Sequence, residues 1–164
     1  MDHQAFAQLL GNYGEFFGAI AVVVTLIYLA GQLRQNTNAL RSSTYEAWNQ
    51  ATSGWAEYAA THATAIAAIE EKSNWDTLSN EERLVYGGLV MKTFYTIEAA
   101  YLHHRAGAMD DDVFDARIAG YKVYLDGNPM LRMSWRITRT TGAINYTPEF
   151  MDFLERKIPS LITD

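Results

Sequence analysis

The chain has 164 residues and a mass of 18.5 kDa, enough for one ordinary domain or for a small domain with an attached anchor. With 49% apolar residues it is not a disordered polymer, and a net charge of -6 with a pI near 5.1 argues against a general nucleic-acid binder, which needs a basic face. It has no cysteine, which removes disulfides, thiolate metal sites and cysteine nucleophiles together, and leaves the redox compartment open.

The first predicted element is an apolar helix. From Phe16 to Leu33 no charged residue occurs, and Thr25 and Tyr28 are both tolerated in lipid. This run of about 18 residues extends ~27 Å at the helical rise, close to what a hydrocarbon core requires. A soluble bundle helix of that length normally keeps a polar stripe, and this run has none. A cleaved signal peptide is the other alternative, but no Lys or Arg precedes the run and no small-x-small cleavage site precedes the Gln32–Arg34 segment. The expectation is a single transmembrane helix within residues 1-33. Asp2 and Glu15 precede the span while Arg34 and Arg41 follow it, so the positive-inside rule puts the C-terminal body in the cytoplasm.

Within the span, Gly14 and Gly18 form a GxxxG pair with Ala21 one turn on, a spacing that lets helices approach closely in lipid. Just beyond it, Gln32, Gln35, Asn36, Thr37 and Asn38 are uncharged and polar. In an assembly of parallel copies they would form rings below the membrane and set register. In a lone helix they would simply be solvated.

Residues 34-78 read as a stem helix with a connector. Between Gly31 and Gly54 there is neither Pro nor Gly, and Tyr45, Trp48, Thr52, Trp55, Ala59, His62, Ile66 and Ile69 then recur by threes and fours on one helical face. Residues 79-164 read as a helical body. Ser79 with Glu82 is a capping box for a helix to about Arg105, ended at Gly107, with Leu84, Val85, Leu89, Phe94, Ile97 and Tyr101 as its apolar positions. Asp110 or Asp111 is expected to cap a helix through Leu125, stopped near Gly127. Asn128-Pro129 and Thr147-Pro148 open two more, ending near Arg139 and Ile158. No stretch alternates as a strand does, so the predicted fold class is all-α: a transmembrane helix, a long stem and a small helical bundle.

The segments GAIAVVVTLIYLAGQLRQNTNALRSSTYEAW, LSNEERLVYGGLVMKTFYTIEAAYLHHRAGAMDDDVF, PMLRMSWRI and PEFMDFLE together resemble a large group of bacterial single-span membrane-anchored helical proteins with no established activity. Tyr101, Arg105 and Gly107 match the Tyr-x-x-x-Arg-x-Gly ending of the group's aromatic helix, and Trp135 and Arg136 fall in its later tryptophan segment. Relatives tend to carry Gln beside the arginine, where this chain has His103 and His104. The resemblance implies architecture and a place in the bacterial inner membrane, and no chemistry.

Three clusters are candidates for a working surface. His103 and His104 with Asp110, Asp111 and Asp112 have metal-ligating chemistry, but adjacent helical histidines point about 100° apart, and the aspartates suit a helix N-terminus. Arg132, Arg136 and Arg139 make a basic stripe that could rest on lipid headgroups or pair with acidic neighbours. The third is the juxtamembrane polar segment. No serine elbow, HExxH pattern or phosphate loop occurs. The expectation is therefore a non-enzymatic membrane protein without cofactor or metal, working among membrane lipids by self-assembly or as an accessory subunit. The alternative is a homo-oligomeric pore lined by the N-terminal helix, and a third reading is a membrane-tethered metal-binding protein.

Overall fold

The computed structural model describes residues 3–142, 144 and 146–163, which form six α-helices and no strand. They are α1 (His3–Thr61), α2 (Ala63–Lys72), α3 (Asn80–Arg105), α4 (Asp111–Asp126), α5 (Pro129–Thr141) and α6 (Pro148–Lys157), with 3-10 turns at Trp75–Thr77 and Pro159–Leu161. The all-α expectation holds. Asp2, part of the charge asymmetry noted above, lies outside the described residues. The chain divides into two units, Met1–Ser42 and Ser43–Asp164, so the second begins inside the segment expected as stem.

In the first unit no residue from 11 to 40 is buried. Within the apolar run, Thr25 Oγ1 donates to Ala21 O at 2.8 Å and Gln32 Nε2 donates to Tyr28 Oη at 2.6 Å, both inside the helix.

In the second unit the later part of α1 runs unbroken through Gly54. Its expected stripe is the face that meets the body: Trp48 is buried, and Tyr45, Thr52, Trp55, Ala59, His62 and Ile66 are half-buried. Tyr58 joins them; its hydroxyl donates to Val85 O at 2.8 Å and lies over Gly88, where any Cβ would collide with the phenol. At His62, between α1 and α2, helical hydrogen bonding continues: His62 N donates to Tyr58 O and Ile66 N to His62 O.

The core is built from Tyr86, Leu89, Phe94 and Ile97 of α3, Leu125 of α4, Leu131 and Trp135 of α5, and Phe150 and Leu154 of α6. Local capping sets where these helices start. The Ser79–Glu82 capping box is made in both directions, Asn128 Oδ1 accepts from Leu131 N at 3.0 Å, and Thr147 accepts from Phe150 N. Asn128 also ties three helices together. Its Nδ2 donates to Glu70 Oε1 at 2.6 Å, and Tyr86 Oη donates to Asn128 Oδ1 at 3.1 Å.

One expectation is corrected here. Asp110 stands at the N-cap of α4 but makes no capping bond with its side chain; its carboxylate instead accepts from Tyr45 Oη at 3.3 Å, and that of Asp111 goes to His104. Of the apolar positions of α3, Leu89, Phe94, Ile97 and Tyr101 are buried with Tyr86 and Val90, while Leu84 is 78% exposed.

Candidate functional site

The residues singled out from sequence do not converge. Gly14, Gly18 and Ala21 are exposed, and a Cβ added to either glycine would meet no atom within 4 Å, so no close approach within the chain uses them. Gln35, Asn36 and Asn38 are also exposed. Of the basic stripe, Arg132 Nη1 donates to Leu125 O at 3.0 Å and to Asp126 O, closing the C-terminal end of α4, where unpaired carbonyls favour a cation. Arg139 pairs with the buried Glu155 at 3.0 Å, which also accepts from Trp135 Nε1 at 3.1 Å. Arg136 is half-buried.

Around the histidines, the His104 ring stacks on Phe114 with centroids 4.1 Å apart, and its Nε2 lies 2.8 Å from Asp111 Oδ1. Among the described residues no three His, Asp or Glu side chains are grouped so as to hold a metal ion. A cavity of about 570 Å³ opens here; on its wall His104 lies against Asp111, Lys157 pairs with Asp115 at 3.2 Å, and the Arg105 guanidinium rests over the Tyr101 ring at 5.6 Å.

A different surface has buried polar atoms without a partner. Between α1 and α4 of the second unit runs an apolar groove of about 330 Å³. Helix α1 supplies Trp48, Thr52 and Trp55, which repeat at i, i+4 and i+7 and so share one face. Helix α4 supplies Arg117, Gly120, Tyr121 and Tyr124 at the same periodicity. The rings meet across the groove in two edge-to-face pairs. Trp48 and Tyr121 have centroids 6.0 Å apart at 82°, and Trp55 and Tyr124 lie 5.4 Å apart at 89°. This is the favoured approach of two quadrupoles.

The Arg117 guanidinium sits over the Trp48 ring at 4.5 Å. Its Nε and the Thr52 Oγ1 are buried without a hydrogen-bond partner, and among the described residues no carboxylate pairs with Arg117. Burial pushes the Tyr121 phenol up to about 12 against the opposing pull of Arg117; burial and then the nearby Glu70 push Tyr124 to the same value. Both phenols therefore remain neutral hydrogen-bond donors at physiological pH. The Trp55 indole N–H is already spent on Thr93 Oγ1, at 3.0 Å.

The α1 half of this groove was visible in sequence as an aromatic stripe. The α4 half was not, because Arg117, Gly120, Tyr121 and Tyr124 look like any half-polar helix face until the tryptophans stand opposite. Comparison with protein-family models, curated proteins and solved structures returns no match.

Proposed function

We propose that this chain is a single-span membrane protein of the bacterial inner membrane whose helical body works by assembly with other chains, copies of itself or subunits of a larger complex, rather than by catalysis. One observation carries the reading: among the described residues, nothing covers the charge-free apolar run from Phe16 to Leu33, none of which is buried. A core helix of a soluble bundle would be mostly covered. Contiguous exposed apolar surface beyond a few hundred Å² marks a membrane or protein contact. The motif resemblance described above supports the same membrane, and Arg34 and Arg41 after the span support a cytoplasmic body.

Assembly draws support from α3. Leu84, Met91, Tyr95 and Leu102 recur by fours and sevens on its outward face, 43% to 78% exposed, opposite the face that fills the core. A surface helix that is apolar on both sides has room for a second helix against it. A pore lined by the span would need the same apolar wall that an anchor needs, so conductance of the reconstituted protein separates those two readings.

The test is fractionation followed by mass analysis of the gently extracted, untagged protein. The expected result is recovery in membranes resistant to alkaline carbonate, at a multiple of 18.5 kDa or with further subunits attached. Val23→Asp should release it, since a central charge costs about 2.5–3.5 kcal/mol of insertion. Met91→Lys with Leu102→Lys should lower the assembled mass and leave the helical content unchanged. Wild-type protein recovered as a soluble monomer would overturn the reading.

A further inference from the structure

The geometry points to the groove between α1 and α4 as a binding site for a small aromatic carboxylate, its flat ring system held among Trp48, Trp55, Tyr121 and Tyr124 and its anionic group on Arg117. Nothing in this proposal depends on the membrane reading, since every group belongs to the second unit.

Gly120 is the first argument. It lies in the interior of α4, its φ is not positive, and a Cβ added there would meet nothing within 4 Å. Neither backbone conformation nor packing asks for a glycine, and mid-helix glycine is unfavourable relative to alanine. A side chain at this position would instead stand on the wall of the groove. The glycine keeps the groove open.

The unmatched polar groups are the second argument. Buried donors are nearly always partnered, yet Arg117 Nε of α4 and Thr52 Oγ1 of α1, both residues of this groove, are unpartnered. The lining carries no carboxylate. Arg117 is the one charged residue on that lining, and an arginine fork suits a carboxylate.

Cationic ligands are the usual guests of aromatic cages. Here Arg117 already occupies the face of Trp48, and a second cation would face its charge. An alkyl chain would gain area burial alone. A flat aromatic ring also gains the edge-to-face and offset contacts that four rings offer, within a length of ~10 Å between Trp48 and Trp55 along α1.

The experiment is calorimetric titration of the full chain in neutral-lipid nanodiscs, with empty discs subtracted. The probes are 2-naphthoate, its amide, the cation 2-naphthylmethylammonium, and decanoate. The expected result is saturable binding of one naphthoate per chain, roughly tenfold or more tighter than any other probe, as a charge-assisted contact implies. Arg117→Gln should reduce naphthoate to the affinity of the amide and leave the amide unchanged. Gly120→Phe should abolish binding; should that variant fail to fold, Gly120→Ala, whose methyl meets no atom, should weaken it measurably. Absence of saturable naphthoate binding overturns the proposal. So does decanoate or the cation binding equally well, Arg117→Gln without effect, or a folded Gly120→Phe that binds as wild type.

Discussion

At the level of single residues, the second unit shows where individual groups are held for stability and where they are not. Gly120→Ala should raise stability by about 0.5–1 kcal/mol, read from denaturant unfolding, because the open space around its Cβ imposes no cost and the unfolded chain loses freedom. The same substitution should weaken naphthoate binding, so stability and affinity move in opposite directions. Tyr86 behaves differently. Its hydroxyl reaches Asn128 and, at 3.3 Å, Glu70, so Tyr86→Phe should cost about 1–2 kcal/mol in the same assay. Burial first, then the charge of Glu70, holds its phenol far above the ordinary value of 10.0. The unfolded chain releases that proton near pH 10 and the folded chain does not. Stability is therefore full below pH 10 and falls as pH rises beyond it, and Tyr86→Phe should flatten that fall in alkaline circular-dichroism titrations.

At the level of elements, the starts of α3, α5 and α6 follow from neighbouring residues alone. Ser79→Ala should cost about 1 kcal/mol by chemical denaturation, the usual worth of an N-cap. Its partner Glu82 accepts from Lys72 Nζ at 2.6 Å, and that bond, then the backbone N–H of Ser79, holds its carboxyl below the ordinary 4.5. The contribution is complete above pH 4.5 and is lost as pH falls further, so Glu82→Gln should make acid unfolding less steep. These starts were legible because capping is decided within four residues, and the Gly107 ending, with φ of +70°, is equally local. Asp110 was misread for the opposite reason: its side chain is claimed by Tyr45, 65 positions away, a competitor no local rule sees. Which apolar positions of α3 face the core was not legible, because α3 is apolar on two faces and periodicity alone does not choose between them. The groove was half legible, since its α1 face is a repeating pattern and its α4 face acquires meaning only by juxtaposition.

At the scale of the whole molecule, the core residues all belong to Ser43–Asp164, and the hydrogen bonds joining α2, α3 and α5 close within that unit. A chain of residues 43–164 should therefore fold without the segment before it, with the near-ultraviolet dichroism of the full protein and an unfolding midpoint within a few degrees of it. Loss of that signal on truncation would mean that Met1–Ser42 contributes to the body's stability.

The placement of the tryptophans has an optical consequence. All four, Trp48, Trp55, Trp75 and Trp135, fall in the second unit, while α1 carries helix through both. Indole emission is then blind to the first unit, whereas far-ultraviolet dichroism records both. Heating curves followed by the two signals will superimpose only when the two units melt together. A gap between them measures, without any label, how independently the apolar helix and the helical body come apart.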